Sequence, residues 1–290
     1  REARNHAEAS LVMAIVCPCR MRDAPDRTGT SSPTVLRACD SIMFHCDSAS
    51  AAKGEPFLSR CIVQNRWQEF TQALQETTDL TIHDSHCNTP LHVACEANGE
   101  SRFVTALLQK GFDANACNCD NLTALHVAIA HNRDADIIRL LMAHGADPYW
   151  DGGDGLTAIC IACEENHLPA MRVLVHEYGV DLNRRNSWGV TAIGHMLHTT
   201  VHEEMLEYML REGNADPNLH AEAGDLPLRL ALFFSESVTT VNLLLRYGAN
   251  VHAISDGVET ALLLAETEVD EDDKQEITEE LIRHIGNHRL

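Results

Sequence analysis

The chain has 290 residues, with 22 lysines and arginines against 43 aspartates and glutamates, a net charge of -21 with histidine neutral. It is 44% hydrophobic but only 5% aromatic, which suits many small interfaces of Leu, Ala, Val and Ile between helices rather than one large core. These figures weigh against nucleic-acid binding, which needs Lys and Arg to displace counterions, and the longest apolar run near the start, Leu11 to Cys17, falls well short of the roughly 20 residues that span a bilayer.

Residues 1–54 combine Pro, Ser, Thr and Arg with little periodicity and are expected to form a poorly ordered leader. The sequence begins at Arg1 rather than Met, and Met43 reads as a candidate initiator. Arg20 and Arg22 follow the apolar run, and no small-x-small cleavage site accompanies it, so a secretory signal is not expected. The leader holds seven basic and six acidic side chains, which leaves fifteen basic and thirty-seven acidic residues from position 55 onward. The acid excess therefore belongs to the rest of the chain.

From residue 55 the sequence repeats itself. Phe57 to Leu74 reads as a first, atypical helix pair, and Asp79 stands ten residues before Thr89. The segments TPLHVA from Thr89, TALHVA from Thr123, TAICIA from Thr157, TAIGHM from Thr191, LPLRLA from Leu226 and TALLLA from Thr260 then follow at spacings of 34, 34, 34, 35 and 34 residues. A second marker keeps the same phase: Gly111, Gly145, Gly179, Gly213 and Gly248 each close a Leu-rich stretch and precede Asp113, Asp147, Asp181, Asp216 and Asn250. Each marker has a physical meaning. A Thr hydroxyl accepts from an orphan amide of the following turn, and Pro90 suits the first helical position. An apolar stretch with helical spacing comes next, as in Ile137 to Met142. The glycine ends that helix in a left-handed turn. The ten polar, turn-rich residues before the next Thr, such as DPYWDGGDGL, predict an extended finger with a tight tip. The last unit is expected to open at Thr260 and close with Ile277 to Ile285, with the acidic stretch from Glu266 to Asp273 as a loop between them.

The unit resembles the ankyrin repeat, whose signature is T-P-L-H-x-A followed by a Leu-rich helix and G-A-D. Thr89 to Ala94 match it throughout, and Thr123 to Ala128 match apart from Ala124. The resemblance implies an all-α solenoid of stacked helix-loop-helix units with β-hairpin-like fingers, covering residues 55–290 in units near 55–88, 89–122, 123–156, 157–190, 191–225, 226–259 and 260–290. The extra residue over the usual period of 33 is expected in the loop between the two helices, where added length costs little. The resemblance also implies that His92 and His126 are structural, with imidazoles hydrogen-bonded within and between units. The unit from Thr191 departs most, with Gly194-His195-Met196 in place of Leu-His-x-Ala.

Other chemistry is weakly supported. Cys160-x-x-Cys163 lacks a second pair at zinc-ribbon spacing and a redox βαβ setting, so it reads as two buried structural thiols. Eleven cysteines, an odd number spread along the chain, are expected to be free thiols of an intracellular protein, cytoplasmic or nuclear. No phosphate-loop, dinucleotide, H-E-x-x-H or G-x-S-x-G motif is present, so neither catalytic residues, metal nor cofactor are expected. The informative residues lie on two successive fingers: Tyr149 and Trp150, then Arg184, Arg185 and Trp188. Exposed aromatics and arginines are enriched at binding hot spots, and an Arg pair in an acidic array suits a carboxylate or phosphoryl group. The opposing reading is that the tryptophans merely pack on neighbouring fingers. The expected function is that of a monomeric scaffold or adaptor binding other proteins through its fingers and concave helix face. Two alternatives stand beside it: an inhibitor that masks the basic region of a transcription factor or signalling protein, and a substrate receptor of a ubiquitin ligase.

Overall fold

The computed structural model describes residues 56–97, 100–219, 226–234, 237–251 and 271–287. Among them are thirteen α-helices and no β-strand. In chain order they are α1 (Phe57–Val63), α2 (Trp67–Glu76), α3 (Pro90–Glu96), α4 (Ser101–Lys110), α5 (Ala124–Ala130), α6 (Ala135–Ala143) and α7 (Ala158–Glu164). There follow α8 (Leu168–Arg172), α9 (Ala192–His198), α10 (Glu203–Arg211), α11 (Pro227–Phe234), α12 (Val238–Arg246) and α13 (Glu271–Asn287). The first twelve form six pairs at the expected period. The leader, the tip of the finger after Asp216 from residue 220, and the helix expected at Thr260 lie outside the described residues.

Four of the first helices, α3, α5, α7 and α9, start at the Thr that the repeat marks. Thr89, Thr123, Thr157 and Thr191 all hold extended backbone at the N-cap. In α3 and α5 the cap is doubled, because His92 and His126, three residues on, each accept from the Thr backbone N–H through Nδ1. This is the reciprocal logic of a capping box, with imidazole in place of the usual carboxylate or amide. The first helices pack in succession, α1 on α3, α3 on α5, α5 on α7, α7 on α9 and α9 on α11, and the second helices form the neighbouring layer. The leucine or isoleucine of each signature supplies the shared core: Leu91, Leu125, Ile159, Ile193 and Leu228 are all buried.

The second helices differ in how they end. The α4 helix stops at Gly111, whose left-handed backbone (φ 102°) directs its N–H to the Leu107 and Leu108 carbonyls. At the equivalent point after α10, the additional residue of the GNADPN segment changes the arrangement. Asn214 takes the left-handed conformation (φ 53°), and Gly213 lies where a Cβ would come within 2.6 Å of Leu182 and 2.9 Å of the Met209 carbonyl. Following α8, the chain widens into one π-helical turn, Val173–Glu177, which houses surplus length inside a helix rather than in the loop before it.

The two ends depart from the middle. The expected atypical first pair is present as α1 and α2, where Trp67, Phe70 and Phe103 make mutual ring contacts of 4.9–5.7 Å, while Phe57 and Val63 stay exposed. The final helix begins at Glu271 rather than at Ile277, so Glu271, Asp272 and Asp273 are helical and not part of a loop. Ile277 and Leu281 bury the helix, and α13 packs on α12.

Candidate functional site: the finger edge and a vacated histidine position

The segments between pairs are fingers 1 (79–88), 2 (113–122), 3 (147–156), 4 (181–190) and 5 (from 216). They are built from turns, and the one strand-like bridge among the described residues joins Cys117 to Thr123 on either side of the finger 2 tip. Side chains at the tips stand in for a strand ladder. Asp84 accepts from the N–H groups of His86 and Asn88, Asn118 from those of Asp120 and Leu122, and Asn186 from those of Trp188 and Val190. These are the local side-chain turns for which Asp and Asn are suited.

A hydrogen-bond ladder also crosses from finger to finger at their bases. Asn115 donates to the Gly145 carbonyl (2.8 Å) and accepts from Asp147 N–H (2.7 Å). Asn183 makes the same pair with the Asn214 carbonyl and Asp216 N–H, and Asn218 with the Gly248 carbonyl and Asn250 N–H. Tyr149 occupies the rung between Asn115 and Asn183. Its hydroxyl accepts from Asp181 N–H at 2.8 Å, which continues the ladder with a longer side chain and an aromatic face.

Of the five residues singled out from the sequence, Tyr149, Trp150, Arg184 and Trp188 are engaged between neighbouring fingers. Arg184 lies over the Tyr149 ring, 4.0 Å from its centroid, in a cation–π contact. Arg185 is exposed beside it. Trp150 is 41% exposed and donates its indole N–H to the Asn121 carbonyl of finger 2 (2.9 Å). Trp188 is half-buried and lies flat on Gly155 of finger 3, where a Cβ would meet the indole at 2.4 Å. Gly155 therefore has two reasons to lack a side chain, this approach and its φ of 71°. The structure brings Tyr149, Arg184 and Arg185 around one cleft, whereas Trp150 turns toward finger 2 and Trp188 toward the tip of finger 3.

The cleft is shallow, with a volume of about 20 Å³, and is lined among others by Tyr149, Thr157, Cys160, Arg184, Arg185 and Val190. Its origin is visible one unit earlier. His126 is buried; its Nδ1 meets the Thr123 N–H (3.3 Å) and hydroxyl (2.7 Å), and its Nε2 donates to the Trp150 carbonyl (3.0 Å) with the Leu156 carbonyl close by. His92 does the same with Thr89 and Leu122. Thirty-four residues on from Thr123, His126, Trp150 and Leu156 stand Thr157, Cys160, Arg184 and Val190, and all four line the cleft. The small thiol leaves the volume that an imidazole fills elsewhere, and the two carbonyls lack that donor. Cys160 was legible in the sequence only as half of a C-x-x-C. Its position in the signature, where histidine stands in the two preceding units, is the signal that locates the cleft.

The thiols themselves are packing groups. Both are buried, Cys160 takes a hydrogen bond from the Thr157 hydroxyl (3.3 Å), and Cys163 touches the Met209 sulfur (3.7 Å). Burial pushes the Cys160 thiol up to about 11 and holds Cys163 well above the ordinary thiol range. Buried thiols of this kind are inert. In the following unit Gly194 takes the histidine position and donates its N–H to Thr191 (3.3 Å). His195, shifted by one residue, hydrogen-bonds instead to Glu164 of α7 at 3.0 Å, and both side chains are buried. The His202 ring donates to the Glu164 carbonyl (3.1 Å) and secures the same junction. The sequence marked this unit as a departure; the compensating Glu164–His195 pair depends on two neighbouring helices and was not legible there.

A stack of helix pairs with capped first helices and laddered fingers defines a repeat protein, and comparison identifies the class. The model for ankyrin repeats in three copies matches residues 58–150, 92–186 and 130–221, together more than half of the chain. The chain belongs to the ankyrin-repeat family. Among solved structures, the ankyrin repeat domain of Bcl-3, described as a unique member of the IkappaB protein family, aligns with a TM-score of 0.68 at 22% identity, covering 79% of this chain and 100% of that one. The human ASB11 ankyrin repeat domain aligns at 0.62 and 21% identity, covering 79% and 98%. At these identities the likeness is one of fold. No curated protein sequence matches the chain. Ankyrin-repeat domains serve in general as protein-binding modules, and among the described residues no helix is long and apolar enough to cross a membrane.

Proposed function

We propose that this protein is a binding scaffold that engages a partner protein on the edge formed by fingers 3 and 4, and that the partner places an acidic or phosphorylated side chain against Arg184 and Arg185. The observation that carries this reading is the cleft left by Cys160, rimmed by two exposed arginines in a region of strong acid excess. Arg184 is already oriented by its stacking on Tyr149, so little side-chain entropy is lost on contact. Trp150 offers an exposed aromatic face on the finger 2 side of the same edge, and Trp188 keeps the tip of finger 3 in place. Tyr149 and Trp188 are thus positioning residues, and Trp150, Arg184 and Arg185 the contact residues.

A second reading has a specific observation of its own. The acid excess from residue 55 onward suits the masking of a basic segment, by long-range attraction rather than by the cleft. One experiment separates the two: the full chain is passed over arrays of acidic, phosphorylated and basic peptides, with the R184A/R185A variant in parallel. Retention of acidic or phosphorylated peptides, reduced at least tenfold in the variant, supports the finger-edge site. Retention of basic peptides alone, unchanged in the variant and abolished by salt, overturns it in favour of masking.

A further inference from the structure

Fingers 1 and 2 carry a pair of thiols that the partner-binding reading does not use. Cys87 lies near the tip of finger 1 in a left-handed backbone conformation (φ 61°), at the position taken by Asn121, Gly155 and Gly189 on the next three fingers. Cys119 is on finger 2. Its backbone N–H donates to the His86 carbonyl at 3.0 Å, so residue 119 is tied to the peptide unit that leads into Cys87. That bond brings the backbones of the two cysteines together across the gap between the fingers, and Cys87 is the neighbour that most perturbs the Cys119 thiol. Cys119 is exposed and Cys87 half-buried, and both are free. Two features set this pair apart from the other described cysteines. Cys61, Cys95, Cys160 and Cys163 are buried in the helix layers, and Cys117, whose thiol donates to the Asn115 carbonyl (3.5 Å), is directed back along its own finger.

We propose that Cys87 and Cys119 are a dithiol modification site, closed to an inter-finger disulfide by low-molecular-weight disulfides such as oxidised glutathione and bridged in the reduced state by trivalent arsenicals. In the closing reaction the exposed Cys119 sulfur attacks one sulfur of the oxidant. A Cys119 mixed disulfide forms, and the first oxidant thiolate leaves. The Cys87 sulfur then attacks the Cys119 sulfur and expels the second thiolate. The two protons lost by the cysteines end on the two oxidant thiols, and the two electrons reduce the oxidant. The neighbouring Cys87 thiol, with desolvation and the negative charge of Asp120 and Asp84 adding to it, pushes the Cys119 thiol up to about 11. Closure is accordingly slow at neutral pH. Once closed, the bond joins fingers whose bases are separated by a whole helix pair, and it restricts the unfolded chain over that loop.

The full-length protein is incubated with excess oxidised glutathione, alkylated without reduction and mapped by mass spectrometry. The expected product is a cross-linked Cys87–Cys119 peptide, lighter by about 2 Da than the two free peptides together, for the two hydrogens lost. C87S leaves Cys119 as a stable glutathione adduct, and C119S leaves Cys87 alkylated. Phenylarsine oxide, added to reduced protein, is expected to bind one per chain, and each single variant is expected to lose that binding at least tenfold. A wild-type Cys119 that remains glutathionylated while Cys87 is alkylated overturns the proposal, as does a dominant Cys117–Cys119 or intermolecular link. Far-UV circular dichroism on both serine variants confirms that a lost product does not reflect a lost fold. The site lies on fingers 1 and 2, so its failure leaves the reading of fingers 3 and 4 untouched.

Discussion

The units opening at Thr89 and Thr123 and those opening at Thr157 and Thr191 share the same helix-pair plan and one continuous core, and differ most tellingly at the signature histidine position. In the first two, histidine closes a bond network from the N-cap threonine to the next finger. In the later two, Cys160 and Gly194 hold that place, and the networks are shorter. The stack tolerates the change because neighbouring helices bury a continuous apolar core whichever cap is used. What the change alters is the surface. Where histidine fills the junction, the edge is closed; where cysteine replaces it, a cleft opens beneath two arginines.

The sharpest way to break this comparison is to remove a histidine. H126A leaves Thr123 N–H and the Trp150 carbonyl without their partners in a buried setting, and is expected to cost about 2–4 kcal/mol, measured as a lowered urea midpoint. C160A, which removes no such bridge, is expected to cost about half as much or less.

The pH dependence follows from the same burial. Burial lowers His126 to about 4, whereas an unfolded histidine titrates near 6.5. Between those values the unfolded chain binds the extra proton, so this group's contribution is full above about 6.5 and is lost as pH falls toward 4, by up to about 3 kcal/mol. Burial also lowers His92, in the same sense. Glu96 opposes them: burial, reinforced by Asp84, raises it to about 7, so the folded chain keeps a proton that the unfolded chain has lost, and stability falls as pH rises through that window. The comparison that isolates His126 is therefore wild type against H126Q, in which the rise of stability from pH 4 to 6.5 is expected to be shallower.

C160H sharpens the comparison from the other side. An imidazole restored beneath Arg184 and Val190 is expected to fill the cleft and stabilise by about 1 kcal/mol, and to weaken any partner seated there. A lowered midpoint would show that the junction has rearranged beyond the loss of one side chain. Smaller effects belong to the exposed edge. Y149F deprives Asp181 N–H of its acceptor and is expected to cost about 0.5–1 kcal/mol, because water can replace the hydroxyl. Arg139, exposed between Asp136 and Glu177, makes ion pairs of 2.7 and 2.8 Å, yet R139A is expected to leave the urea midpoint essentially unchanged, since exposed pairs are screened and entropically costly.

The sequence by itself determined the period, the capping threonines, the glycine stops, the buried signature leucines and the structural role of His92 and His126, because these depend on contacts that recur at fixed separation along the chain. It also pointed to the finger edge, where Tyr149, Trp150, Arg184, Arg185 and Trp188 stand out in composition. Their division of labour was not legible. Tyr149 reads as an exposed aromatic until its hydroxyl is seen to replace an asparagine in the ladder, and Trp188 reads as a hot spot until it is found on Gly155. Only the tertiary structure decided these roles, the Glu164–His195 pair and the meeting of Cys87 with Cys119. The physical reason is the same in each case. A repeat pattern states what every unit shares, whereas a cleft, a compensating pair or a thiol contact arises where two neighbouring units differ, and the distance between those particular side chains is set by how the helices and fingers stack.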